Sequence, residues 1–284
     1  MKMTVVGLGL IGGSLALDLK ASGFVSEVTG VDSRPEHGKQ ALELGLVSAV
    51  KPLAEAVAHA DLVVLAIPVH AIAKTLPEVM DKICVKATVT DMGSTKELIC
   101  KSVVGHAKRA QFVASHPMAG TEFSGPQAAV RGLFEKRAAV ICDRDESGKE
   151  HLKRIEEMYQ VLKMRTIFMT SVEHDLHAAY VSHLSHISSF VLANAVLDKE
   201  RDTNAIFDLA SGGFESTVRL AKSSADMWTP IFEQNRGNVV HALDAYIEHL
   251  QKFKKSIVDG RFDETRALME NANKIRRVLN RIAK

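Results

Sequence analysis

Met3-Thr4-Val5-Val6-Gly7-Leu8-Gly9-Leu10-Ile11-Gly12-Gly13-Ser14-Leu15-Ala16-Leu17 decides the fold class of this chain. The apolar, β-branched start reads as a buried strand, the glycines as a turn, and Leu15 to Leu19 as a helix. In that order the glycines acquire separate tasks. Gly7 allows the tight turn, Gly9 lets a pyrophosphate approach the backbone, and Gly12 lets helix and strand pack closely, with the phosphates on the helix amino terminus. The next strand, Glu27-Val28-Thr29-Gly30-Val31, ends in Asp32, twenty residues beyond Gly12, where a carboxylate binds adenosine ribose hydroxyls. Asp32 would repel a ribose 2′-phosphate, so the expected cofactor is NAD, although Arg34 stands where a cation would tolerate that phosphate.

Outward from this unit, apolar runs alternate with amphipathic segments: Leu62 to Ile67, Ala87 to Asp91, Phe112 to Ala114, Ala138 to Cys142. Such alternation predicts an α/β domain with a parallel, doubly wound Rossmann sheet. Open sheets of this kind bind ligands beyond the carboxyl ends of their strands. The residues expected to hold the dinucleotide are Gly7, Gly9, Leu10, Ile11, Gly12, Asp32 and, at a later strand end, Pro68. His70 reads as pocket wall or solvated surface. In the loop Met92-Gly93-Ser94-Thr95-Lys96, Ser94 reads equally as a helix cap and as a catalytic hydroxyl.

A third strand end carries Ser115-His116-Pro117-Met118-Ala119-Gly120-Thr121-Glu122. Pro117 pushes His116 toward an extended conformation, Gly120 is expected to permit a turn, and the preceding apolar run aims the imidazole at the ligand edge of the sheet. His116 is therefore the candidate acid–base residue, against the alternative of a solvated loop histidine.

Composition bounds the partners. The chain has 284 residues, 46% of them hydrophobic and 25% charged, enough for two soluble domains with their own cores. With 36 basic and 34 acidic side chains the formal charge is +2, too balanced for a nucleic-acid footprint. The amino terminus lacks a signal-peptide design and no apolar run approaches the roughly 18 residues of a membrane span, so a cytoplasmic protein is expected. Cys84, Cys100 and Cys142 are odd in number and widely spaced, which argues for reduced, structural thiols.

After Arg165-Thr166-Ile167-Phe168-Met169 the period-two character stops, placing the expected boundary between a dinucleotide domain, residues 1–169, and an all-helical domain, residues 170–284. A single helix is expected from Glu173 to about Leu197, with an apolar stripe at Leu176, Tyr180, Leu184, Ile187 and Val191. His174, His177, His183 and His186 ride on it. Their two pairs are too far apart to converge on a metal, and none is expected. At least one of His183 and His186 should face a pocket, with a backbone-satisfied core role suiting His183 better. Gly212 lies in an expected loop between helices. Arg219, among apolar neighbours, should meet a carboxylate. Met227-Trp228-Thr229-Pro230 is expected to stop the chain and restart it with Pro230 in a first helical position. Helices from Pro230 to Ile257 and from about Asp263 to Lys284, parted by Asp259-Gly260, suggest a homodimer by analogy.

The Gly7–Ser14 turn, the Asp91–Lys96 loop, Ser115–Glu122, Ser182-His183-Leu184-Ser185-His186 and Val218-Arg219-Leu220-Ala221 with Trp228 occur in an order that resembles the prephenate dehydrogenases of tyrosine biosynthesis, over nearly the whole length. Ser185 departs from the proline more usual there. The resemblance implies NAD-dependent oxidative decarboxylation of prephenate to 4-hydroxyphenylpyruvate and carbon dioxide. By the same resemblance His116 is the base and Ser94 orients the substrate hydroxyl or the nicotinamide. Arg219 clamps a carboxylate, His186 helps hold the dianion, Glu122 shapes the pocket, and Gly212 approaches the partner subunit's site. The alternatives are an arogenate dehydrogenase, a 3-hydroxyacid dehydrogenase using His116 with Glu122, and a regulatory protein that senses NAD and turns nothing over.

Overall fold

The structure, a computed structural model, describes residues 1–203 and 207–282. The chain forms two compact units, Met1–Arg236 and Gly237–Lys284. The first begins β1 (Lys2–Val6), α1 (Leu10–Ala21), β2 (Glu27–Val31), α2 (Pro35–Glu43), β3 (Ala49–Val50), α3 (Leu53–Ala58), β4 (Leu62–Leu65) and α4 (Val69–Lys82). It continues through β5 (Thr88–Asp91), α5 (Glu97–Lys101), β6 (Phe112–Pro117), β7 (Ala138–Cys142), α6 (Lys149–Val161) and β8 (Arg165–Met169). Then come α7 (Ser171–Ala178), α8 (Leu184–Thr203), α9 (Gly212–Val218) and α10 (Ala225–Gln234). The second unit takes in α11 (Arg236–Val258) from Gly237 onward, α12 (Phe262–Ala272) and α13 (Arg276–Ile282).

The eight strands form one sheet in the order β3-β2-β1-β4-β5-β6-β7-β8. All four residues of β4 are fully buried, as a strand covered by helices on both faces must be. Each such side chain contributes about 1.5–3 kcal/mol of transfer free energy. The order reverses between β1 and β4, and there the backbone is tightest. Gly7 has φ +97°, and a Cβ on it would lie 2.4 Å from the Ala66 carbonyl oxygen. A Cβ on Gly12 would lie 2.0 Å from the Gly7 oxygen, so α1 can seat against β1 only with glycine there.

Several expectations change. Strands β1 to β6 are parallel, β7 runs antiparallel to β6 with His116 opposite Val140, and β8 runs parallel to β7, so the last two strands oppose the other six. The 118–137 connection carries only a short 3₁₀ turn, Pro126–Ala128, in place of a crossover helix, so the strand after it returns in the opposite direction. Gly120 is not left-handed and has open space around its Cα, so the turn there does not need glycine. Pro230 does not start a helix. It lies inside α10, which begins behind Ser224. Trp228 and Ile231 are buried in the same apolar cluster as Ile72 and Leu76 of α4, and that packing outweighs the hydrogen bond proline cannot make. Residue 169, where the pattern changes, is the last residue of β8.

The expected helix from Glu173 is broken by a π-turn at Ala179–His183. Nine residues of uninterrupted α-helix would set His174 and His183 roughly 180° apart, whereas one extra residue in the turn reduces this to roughly 80°. Both are buried, while the apolar stripe is exposed at Leu176, Tyr180 and Val191. In the second unit, Asp259 and Gly260 form the expected turn, and Ser256 meets Thr265 at 2.8 Å across it.

Candidate active site

His116 is the fifth residue of β6 and its side chain is buried. Its Nδ1 lies 2.9 Å from Nε2 of His174, with the rings edge to face. His174 Nδ1 lies 2.8 Å from Oδ1 of Asp175. The Asp175 carboxylate in turn accepts the backbone N–H groups of Lys96 at 2.7 Å and Glu97 at 2.9 Å. These amides open α5, so a carboxylate from α7 caps that helix and Ser94 does not. Ser94 is left half-buried in the loop beyond β5. Burial first, and then the neighbouring His174, Lys96 and His183, hold the His116 imidazole well below its ordinary range, so it is neutral at pH 7 and has a lone pair to offer.

Beneath this chain lies an ion pair that sequence reasoning missed. Lys96 and Asp91 are fully buried and bonded to each other, and Lys96 Nζ also donates to the Ser115 carbonyl at 2.7 Å. Asp91 further accepts the Gly93 and Ser115 amides, and the Ser115 hydroxyl donates to the Asp91 carbonyl at 2.9 Å. The carboxyl ends of β5 and β6 are thereby tied together directly under the imidazole.

The helical segments bring the remaining candidates. His186 is half-buried and stacks on Trp228 at 3.6 Å between ring centroids. Its Nδ1 meets the Ser182 carbonyl at 3.0 Å. The backbone-satisfied role expected of His183 thus belongs to His186. His183 Nδ1 lies 3.2 Å from the Asn235 amide nitrogen, while its Nε2 and the Trp228 Nε1 are buried without a hydrogen-bond partner among the described residues. Arg219 is half-exposed, and its Nη1 lies 3.5 Å from Glu122 Oε2. Gly212 is exposed and opens α9 instead of lying in a loop, with Ser211 accepting the Glu215 amide. Successive members are close enough to feel each other's charge: His116 and His183, His183 and His186, His186 and Arg219.

Burial pushes the His183 imidazole down to about 4. A histidine whose folded value lies below the unfolded 6.5 favours folding above pH 6.5, and that contribution is lost as pH falls toward 4. In urea titrations across pH 4–7, His183→Gln should show a flatter loss of stability on acidification than the wild type. Equal slopes would mean that His183 is not held neutral by burial.

At the other end of the sheet edge, Asp32 accepts the amides of Leu8 and Arg34, each at 2.9 Å, so its carboxylate is locked beside the glycine turn. His37 lies 3.5 Å from the same carboxylate. Gly9 precedes α1 with no side-chain cap, and nothing approaches within 3.9 Å of where its Cβ would be. The first amides of α1, at Leu10, Ile11 and Gly12, are therefore approachable by a diphosphate, and the fit to a dinucleotide is good. Pro68 is exposed beyond β4 and starts α4 beside this turn.

A doubly wound sheet with a glycine cradle at its switch point, and a buried neutral histidine on the same ligand edge, defines a dinucleotide-dependent oxidoreductase. The chain belongs to the prephenate dehydrogenase family: residues 15–168 match the family's nucleotide-binding domain and residues 170–271 its dimerization domain. It is 31% identical to the prephenate dehydrogenase of Bacillus subtilis over 89% of this chain and 70% of that one. It is 28% identical to the cyclohexadienyl dehydrogenase of Zymomonas mobilis over 90% of this chain and 88% of that one. Among solved structures, prephenate dehydrogenase from Aquifex aeolicus in complex with hydroxyphenyl propionate and NAD+ superposes with a TM-score of 0.87 at 28% identity, covering 98% of both chains. Synechocystis arogenate dehydrogenase gives 0.78 at 27%, covering 98% of this chain and 100% of that one. Among the described residues no helix is long and apolar enough to cross a membrane.

Proposed function

We propose that this chain catalyses the NAD-dependent oxidative decarboxylation of prephenate to 4-hydroxyphenylpyruvate and carbon dioxide, as a cytoplasmic homodimer formed through its helical part. The observation that carries the substrate class is the pair of buried ring nitrogens on His183 and Trp228 without acceptors, beside Arg219 and His186. Buried donors of this kind are costly unless a ligand satisfies them, and a dicarboxylate supplies the acceptors. Glu122 is already paired with Arg219, which favours a keto side chain over the ammonium of arogenate.

NAD, when bound, accepts the hydride from the ring carbon that carries the 4-hydroxyl. Gly7, Gly9 and the amides of Leu10, Ile11 and Gly12 would hold its diphosphate and Asp32 its ribose, with Pro68 lining the same ligand edge. His116 takes the hydroxyl proton as the hydride departs, and returns it to the phenolate oxygen once the ring carboxylate has left as carbon dioxide. Ser94, on the adjoining loop, orients that hydroxyl. Arg219 clamps one carboxylate, His186 supports the dianion from its seat on Trp228, Glu122 sets the resting position of Arg219, and Gly212 stands toward the partner subunit.

Prephenate and arogenate compared side by side, with NAD and with NADP, test the reading. Rapid NADH formation with carbon dioxide release from prephenate is expected. Faster turnover of arogenate would reassign the substrate, and inactivity on both would overturn the proposal. Losing one charge-assisted carboxylate contact costs roughly 1.5–3 kcal/mol, so Arg219→Ala should raise KM for prephenate about 10- to 100-fold and change kcat less. An unmoved KM would remove Arg219 from the clamp.

A further inference from the structure

We propose that His174 and Asp175 are positioning residues that fix His116 with its proton on Nδ1 and its lone pair on Nε2. The inference rests on the reading of His116 as the base and adds which nitrogen acts. Asp175 is buried, and both its oxygens receive backbone donors, Lys96 N–H on Oδ1 and Glu97 N–H on Oδ2. A carboxylate so placed accepts only, so His174 Nδ1, 2.8 Å away, must be the donor. With its one proton on Nδ1, His174 presents a lone pair on Nε2, and His116 Nδ1, 2.9 Å from it, donates in turn. The one nitrogen of His116 left to act on a substrate is Nε2.

The arrangement also settles where the transferred proton goes. When Nε2 takes the substrate hydroxyl proton, the Nδ1–H stays on His116 and remains donated to His174, so no second proton has to move. Lys96 and His183 are the other ionisable groups facing His116, and Lys96 is already bonded to Asp91. Asp175 has a second consequence through its backbone contacts. By capping α5 it anchors the end of the loop that carries Ser94, so the same carboxylate sets both the hydroxyl and the imidazole, although neither His174 nor Asp175 need touch the substrate.

Nitrogen-15 NMR of the full-length enzyme with NAD bound should find His116 protonated on Nδ1 and bare on Nε2. His174→Phe keeps the ring shape and removes the acceptor. It should mix the two His116 tautomers and lower kcat roughly 10- to 100-fold, the range for losing a partner that orients a functional histidine. KM for prephenate and the affinity for NAD should stay unchanged, which also reports that the variant has folded. His174→Gln, whose amide oxygen can accept near the position of Nε2, should recover much of the lost kcat. The proposal is overturned by a proton on Nε2 in the wild type, by wild-type kcat in His174→Phe, or by Gln and Phe variants equally impaired. Should the Phe variant not fold, the wild-type spectrum and the Gln variant decide alone. The tautomer is read whether or not His116 is the base, whereas turnover of His116→Asn tests the base itself, so the two readings fail separately.

Discussion

His116→Asn is expected to fold, to bind NAD as the wild type does, and to lose turnover by about 10²- to 10⁴-fold, the usual contribution of a positioned general base. Asparagine fits the buried site and its amide can still donate to His174, so packing at the end of β6 survives. What disappears is the lone pair that receives the hydroxyl proton. Without it the oxidised ring carbon would bear a protonated carbonyl, a high-energy species, at the moment of hydride departure. The loss should fall on kcat, because His116 binds substrate and transition state unequally only through that proton. Steady-state kinetics alongside NAD titration would separate the two effects, and a variant turning over at near the wild-type rate would dismiss His116 as the base.

Lys96→Met should cost stability, not merely activity. It leaves Asp91 ionised and fully buried, with the Gly93 and Ser115 amides as its remaining partners. Removing one member of a buried pair typically costs about 3–5 kcal/mol, a large fraction of the 5–15 kcal/mol that hold a domain. Chemical denaturation should therefore show a marked fall in midpoint. The double variant Lys96→Met, Asp91→Asn removes both charges and should be more stable than the single one, because the penalty lies in the orphaned charge. A Lys96→Met protein as stable as the wild type would mean that the pair contributes little.

Both experiments act on one sheet edge, and the two halves of that edge differed in how far the sequence disclosed them. The glycine turn, Asp32 and the placement of His116 near a strand end follow from signals within a few residues of one another: β-branched runs, glycine spacing, a proline after the histidine. Arg219 stood out among its apolar sequence neighbours, but the fold leaves it half-exposed beside Glu122, a residue 97 positions away that no local pattern indicates. The family match and the buried ring nitrogens of His183 and Trp228 together support the substrate class.

Other features were hidden because their partners are remote. Asp175 and His174 look like ordinary residues at a helix start, and only folding sets one 79 residues beyond the helix it caps and the other 58 beyond the histidine it meets. The π-turn has no marker in the sequence, yet it brings His183 from the opposite side of the helix to within roughly 80° of His174. Pro230 obeyed the packing of Trp228 and Ile231 and not its own local preference.

The sequence by itself determined the doubly wound strand–turn–helix beginning, the glycine cradle and the candidate base, because steric and periodic constraints act between near neighbours along the chain. The tertiary structure alone decided the reversed direction of β7 and β8, the buried Lys96–Asp91 pair and the Asp175–His174–His116 chain. Hydrogen bonds and ion pairs between distant residues depend on which segments burial brings together, and no local pattern records that.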